Sequence, residues 1–298
     1  MSVPFAFLAV VLIWSTTPLA IKWSGEGPGY LFGVFSRMAL AVVVCLSLLL
    51  VLRRKLPWHG DALRAYLSGA LGAFGGMLCV YWAAQYLPSG LLAVIFALAP
   101  LITAVLARPL LNERSLSLFQ LAGLVLGIGG LAVIFGAGLL NGKNMVAGLA
   151  VQVLSVLLHS LSLVLVKRYG DGLPSLSITT GALLVAVPLF FVTWLVLDGH
   201  APRNLPARAI GSIAYLGVVG SVVGFTLYFY VLKRLKANTA SLITLITPVT
   251  ALMLGSALNA ERISARVLSG TVMVLAGLAL HQWGGRLMSG ITTRAGKP

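Results

Sequence analysis

A chain of 298 residues that is 59% hydrophobic and 9% charged lies far from soluble domains, in which about a quarter of residues carry charge. Its mean hydropathy of +1.01 points instead to a polytopic membrane protein. The net charge of +15 would suggest a nucleic-acid partner in a soluble chain, but here the Lys and Arg residues sit in short segments between apolar runs and read as topology signals, with no nucleic acid implied.

A membrane-spanning helix needs about 20 apolar residues, and ten such runs follow one another, separated by turn or charged punctuation. They are Val3 to Ile21, Tyr30 to Leu52, Leu67 to Tyr86, Gly90 to Leu111 and Ser117 to Gly138 in the first part. Met145 to Val166, Ser175 to Leu197, Ala209 to Leu232, Thr239 to Leu258 and Val267 to Trp283 make up the second. Leu87-Pro88-Ser89 forms a tight link between the third and fourth, and Asn141-Gly142-Lys143 is a turn. The first run lacks a basic leader and is followed by further spans, so it reads as a helix rather than a cleaved signal. Cys45 and Cys79 both lie inside apolar runs and support neither a disulfide framework nor a metal site.

Sliding the sequence by 148 residues brings Gly69, Gly72 and Gly76 onto Gly217, Gly220 and Gly224, Pro100 onto Pro248, and Glu113-Arg114 onto Glu261-Arg262. Leucines coincide cheaply in so apolar a chain; helix glycines, a proline and an acid-base pair recurring in order do not. The chain therefore divides into a first five-helix repeat over 1–140, a second over 141–285 and a short basic tail, 286–298, expected to be disordered. Cytoplasmic loops carry the basic excess, and an inside N-terminus puts 14 of the 21 Lys and Arg residues on the inner side. Both termini are then cytoplasmic. Because five is odd, the second repeat enters the membrane from the opposite face. The expected fold is all-α integral membrane, ten transmembrane helices as two inverted five-helix repeats, the recurring plan of secondary transporters.

Pro100 and Pro248 fall near the middle of the fourth and ninth spans, where each removes a backbone donor and bends its helix; a symmetric pair of this kind points to gating around a midplane site. Gly72 with Gly76 and Gly220 with Gly224 are GxxxG pairs and read as packing faces, while Gly123 with Gly127 reads as packing or a dimer contact. Arg37 is the one charge deep inside a span, about 6 Å from the midplane at 1.5 Å rise per residue, and no Asp or Glu lies within any of these runs. A substrate carboxylate or phosphate would suit it as a counter-ion; outward snorkelling, or pairing with Glu26 or a helix carbonyl, is the structural alternative. His159 is the one deep histidine, either a proton-sensitive group or a packing residue. Trp14, Tyr81, Trp82, Tyr228, Phe229 and Tyr230 offer aromatic walls, with Thr17, Gln85, Ser160, Thr244 and Thr247 as polar groups, a lining suited to small organic solutes. No P-loop, HExxH, CxxC or GxSxG pattern is present, so neither an ATP-driven pump nor a metal or nucleophile enzyme is indicated, and no cofactor.

The string YWAAQYLPSGLLAVIFALAPLITAVLARPLLNERSL from Tyr81 and its echo from Tyr228 resemble the signature segment of the drug/metabolite transporter superfamily, EamA type. IWSTTPLAIK around Trp14 and FSRMALA around Arg37 resemble that family's first and second helices. The resemblance implies ten helices in two inverted repeats and a cavity formed by the first, third and fourth helices with the sixth, eighth and ninth. It also implies transport of amino acids, their derivatives, other metabolites or toxic compounds, often outward. Arginine recurs at the Arg37 position in such helices, which weakens its claim to read one substrate; Ala182 stands where it would recur in the second half, so the site is expected to be asymmetric.

These readings make the protein a transporter or facilitator of small metabolites in a bacterial inner membrane, working by alternating access. Its partners are the small-molecule substrate and the bilayer, with the state, monomer or homodimer, left open. An integral-membrane enzyme on lipid-linked substrates and a non-transporting sensor or channel are the alternatives.

Overall fold

The computed structural model describes residues 2–112, 116–141, 143–202, 204–235 and 242–295. Outside them lie the Glu113-Arg114 pair, Gly142, Arg203, the segment 236–241 where the ninth span was expected to begin, and Lys297.

Ten apolar helices, each long enough to cross a membrane, make up the described chain, which contains no strand. They are α1 (Val3–Ser24), α2 (Tyr30–Val51), α3 (Gly60–Ala83), α4 (Ser89–Leu111), α5 (Leu118–Asn141), α6 (Lys143–Tyr169), α7 (Ser175–Leu197), α9 (Leu242–Asn259) and α10 (Ala265–Ala295), with α8 built from the pieces Ala207–Tyr215, Leu216–Val223 and Gly224–Arg234. Helix is the only spanning form open to so apolar a chain outside a closed barrel, because lipid offers no partner to a free N–H or C=O. Leu118, Leu121, Val125 and Ile128 are exposed at helical spacing on α5, as are Phe5, Leu8 and Leu12 on α1. Such apolar stripes are faces for lipid.

The boundaries of α3 and α10 depart most from the sequence reading. α3 starts at Gly60 rather than Leu67, because the His59 ring accepts from Ala62 N–H at 3.4 Å and Asp61 sits in the first turn; that polar turn escapes a count of apolar residues. α3 also stops at Ala83, short of Tyr86. α10 runs on to Ala295 through the segment expected to be a disordered tail, where no proline interrupts the hydrogen-bond ladder.

Helix partners exchange between the two parts of the chain. α1 packs on α8 and α9, while α6 packs on α3 and α4; α2 packs on α8 while α7 packs on α3. The pairs α2–α7, α4–α9 and α5–α10 map onto themselves under the same exchange. The Gly123 and Gly127 face, left open between packing and dimer contact, is intramolecular packing: a side chain at Gly123 would strike the Gly277 carbonyl of α10, and one at Gly127 would meet Leu101 of α4 at 2.9 Å.

Both α3 and α8 widen to a π turn, at Leu71–Gly76 and Leu216–Val223. The recurring glycines lie in or beside these turns. Glycine has little helical preference and leaves room beside the backbone, and polar neighbours re-satisfy the displaced carbonyls. Ser155 Oγ donates to Gly76 O at 2.9 Å and Ser162 Oγ to Ser68 O at 2.7 Å, both from α6.

Candidate functional site

The buried face of α2 carries Leu31, Val34, Arg37, Met38, Ala41 and Cys45 at helical spacing, so Arg37 points into the bundle and is only 3% exposed. The snorkelling alternative is thereby excluded, and Glu26 pairs instead with Arg208 at 3.8 Å. Arg37 Nη1 donates to Tyr81 Oη at 3.5 Å, its guanidinium carbon lies 5.9 Å from the Tyr81 ring centre, and Nη2 donates to Ser221 Oγ at 3.4 Å. Its Nε has no partner. Tyr81, fully buried in the last piece of α3, has its hydroxyl 3.3 Å from Ser24 Oγ at the end of α1. Ser221 is placed by the π turn of α8, where its hydroxyl donates to Leu216 O five residues back at 2.9 Å. Four helices thus gather one cation and three hydroxyls.

Deeper along α1, the Trp14 ring stands 4.6 Å from Tyr228, tilted by 45°. Tyr230 shares their apolar cluster with Val10, Val231 and Ile243, and the Arg234 guanidinium lies 3.8 Å above its ring. Thr17 donates to Ile13 O at 2.7 Å, Thr244 is half-buried on α9, and Thr16 is bonded to the Tyr215 hydroxyl at 2.6 Å.

His159 occupies on α6 the place that Trp14 occupies on α1. A side chain at Gly76 would collide with the His159 ring, as one at Gly224 would come 3.3 Å from Trp14 Nε1. Gly72 faces Ser162 as Gly220 faces Thr17, at 2.8 and 3.8 Å respectively for an added Cβ. His159 Nδ1 is 2.9 Å from Ser155 O, and Phe96 meets the ring edge-on at 5.2 Å, the surroundings of a packing residue.

Two expected wall residues stand apart. Gln85 lies beyond the end of α3, exposed, with its amide donating to Trp82 O at 3.3 Å; the Trp82 ring meets Tyr86 at 4.8 Å, tilted by 55°. Pro100 sits in the first turn of the second piece of α4, after a break at Ala97–Leu98, whereas Pro248 lies inside an unbroken α9.

A further polar site escaped the sequence reading. The Glu261 carboxylate, in the link between α9 and α10, accepts from Ser89 N–H (2.9 Å), Ser89 Oγ (3.0 Å) and Gly90 N–H (3.4 Å) at the N-terminus of α4, and from the Asn259 amide (2.9 Å). Lys22 Nζ is 3.5 Å away and also donates to Leu87 O at 3.2 Å, while Trp23 Nε1 donates to Asn259 at 3.2 Å. An added Cβ at Gly90 would lie 2.6 Å from the Leu252 backbone, so α4 and α9 cross almost in contact here. Burial opposes the Glu261 charge, but the Ser89 N–H, the Asn259 amide, the Lys22 ammonium and the Ser89 hydroxyl outweigh it and hold the carboxyl below its ordinary range. The available signal was the Glu-Arg pair recurring at the ends of both proline-bearing spans.

Ten spanning helices whose deep cation and hydroxyls are gathered inside, away from the lipid face, define a multi-pass membrane protein with a polar interior. The chain belongs to the EamA-like transporter family, which matches residues 1–136 and again 146–281. It is a transporter-family protein and not an enzyme. Among relatives, it is 27% identical over 263 residues to the uncharacterized inner membrane transporter YedA of Escherichia coli (strain K12), covering 87% of this chain and 83% of that one. It is 26% identical over 278 residues to a probable terminal-alkyne amino-acid exporter of Streptantibioticus cattleyicolor, covering 93% and 92%. A solved crystal structure has the same fold, with a TM-score of 0.65 over 96% of this chain and 98% of that one at 20% identity.

Proposed function

We propose that the protein is a secondary transporter or facilitator, acting as an exporter, that moves small organic metabolites such as amino acids or related compounds across a bacterial inner membrane. The observation that carries this reading is the exchange of helix partners in a chain of the EamA-like family: α1 with α8 and α9, α6 with α3 and α4. Two interchangeable sets of contacts around a shared interior are what alternating access requires. The inverted repeats, 1–140 and 141–285, rest on the 148-residue recurrence and the odd number of spans in each, the cytoplasmic termini on the basic-residue count, and the Lys22 end of the bundle is then the outer one.

In this reading Trp14, Tyr228 and Tyr230 wall the path, Thr17 and Thr244 give it polar edges, and Trp82 and Gln85 belong to its rim. The break before Pro100 is the main gating point, with Pro248 marking the corresponding place on the continuous α9. The relatives named as an amino-acid exporter and an inner membrane transporter support the substrate class and the membrane. Counterflow in proteoliposomes tests it, using labelled amino acids, nucleosides and organic cations. Saturable exchange of one class is expected; unsaturable conductance, or silence across the set from folded protein, rejects it.

A further inference from the structure

A guanidinium is rarely left in the state of Arg37. Moving an ion out of water costs several kcal/mol even after relaxation, which a close carboxylate or a full set of short hydrogen bonds offsets. Arg37 has neither. Its two hydroxyl contacts, at 3.4 and 3.5 Å, are long for N–H···O bonds, its Nε–H has no acceptor, and Tyr81 lies at the outer limit of a cation–π contact. Among the described residues no carboxylate lies within ion-pair distance of it; the described acids in ion pairs are Glu26, Asp61, Asp198 and Glu261, each with another partner.

The surrounding hydroxyls are arranged to donate elsewhere or to a guest. Ser221 directs its proton to Leu216 O, and Ser24 lies 2.7 Å from Ile21 O, its own helix acceptor. That leaves the Tyr81 O–H and the Nε edge of Arg37 as the donors best placed for an incoming group. A carboxylate meets such an edge side-on through two N–H···O bonds.

We infer that Arg37, Tyr81 and Ser221, with Ser24 behind Tyr81, form an anion subsite that takes a small monovalent anion, either the carboxylate of the transported solute or a free inorganic anion. The first source rests on the carrier reading above; the subsite itself does not. A guest anion neutralises the one charged side chain buried in the spans among the described residues, so binding and bundle stability are coupled.

The test uses the full-length protein in detergent, with thermal unfolding followed by tryptophan fluorescence as chloride, acetate or inorganic phosphate is titrated at an ionic strength held by potassium HEPES. Wild type is expected to rise in Tm saturably with at least one of the three. Arg37→Gln should weaken that response about 100-fold, the effect of removing one partner of a buried charge pair. Ser221→Ala, which keeps the charge, should weaken it about 5-fold and remains informative if the Arg37 variant does not fold. Response to acetate and not chloride assigns an organic carboxylate; response to chloride alone assigns an inorganic anion. No saturable response to any of the three, or an unchanged response in Ser221→Ala and in Arg37→Lys, overturns the subsite. Counterflow failing while Arg37-dependent stabilisation persists removes the carrier reading and leaves the subsite, and the reverse removes the subsite alone.

Discussion

α4 and α9 carry prolines at matching positions of the duplicated sequence, yet one helix breaks and the other does not. In α4 the ladder gives way at Ala97–Leu98 and restarts with Pro100 in the first turn, where a missing N–H costs little. Carbonyls around the break are bonded from outside, by Gln152 Nε2 to Leu92 O at 3.1 Å and Ser160 Oγ to Ala99 O at 3.3 Å, both from α6. α9 stays helical through Pro248, with Thr247 donating to Ile243 O at 2.6 Å and Thr250 to Ile246 O at 3.0 Å. Around the same repeat position, then, side-chain bonds to main-chain carbonyls come from another helix in α4 and from within the helix in α9.

The most disruptive way to break the comparison is at the crossing of the two helices. Glu261→Ala removes the carboxylate that the α9–α10 link places on the N-terminus of α4, leaving Lys22 without its counter-ion and two N–H groups unpaired, and should cost about 3 kcal/mol in thermal unfolding. The same contact has a pH signature. Because the folded carboxyl is held below the ordinary value of 4.5, its contribution is complete above that value and is lost as pH falls through the lowered one. Glu261→Gln should abolish this acid-dependent loss; an unchanged Tm profile between pH 5 and pH 3 counts against the tie.

The paired glycines give a second contrast. Gly76→Ala drives a methyl into the His159 ring and should destabilise by about 2 kcal/mol. Its counterpart in the repeat, Gly224→Ala, comes no closer than 3.2 Å to Ile13 and 3.3 Å to Trp14 Nε1 and should cost under about 1 kcal/mol. Equal losses in both would refute the asymmetry. For the hinge itself, Pro100→Ala lets α4 close into one helix and should slow exchange about tenfold, a change of about 1.4 kcal/mol in the rate-limiting barrier. Pro248→Ala, in a helix already continuous, should change it less than threefold, or about 0.6 kcal/mol.

Much of the fold was legible because lipid imposes a simple rule: ten runs of sufficient apolar length became ten helices. The rule fails where helices leave the apolar layer, which is why the start of α3 at Gly60 and the continuation of α10 to Ala295 were missed. Arg37 was legible as the single charge deep within an apolar run. Its neighbours were not, since serines such as Ser24 and Ser221 are unremarkable in sequence and acquire a role only where α1 and α8 bring them together. Gln85 misled for a related reason: two residues past the end of α3, helical spacing no longer says where a side chain lies. The π turns had a signal in the recurring glycines, which were read as packing alone.

The glycines joining α5 to α10 bear on what this sequence can become. At Gly130 and Gly270 an added Cβ would stand 2.6 Å from the opposing helix's carbonyl, and at Gly123 and Gly277 the two backbones are as close. A single methyl at any of the four meets main chain, which cannot swing aside as a side chain can, so these sites are closed to drift while Gly136 on the same helix, with nothing within 4 Å, is open to it. The four also work as a key. Sliding α10 along α5 by one residue would put a side chain where each glycine now admits only backbone, so the longest helix of the protein has one register available to it.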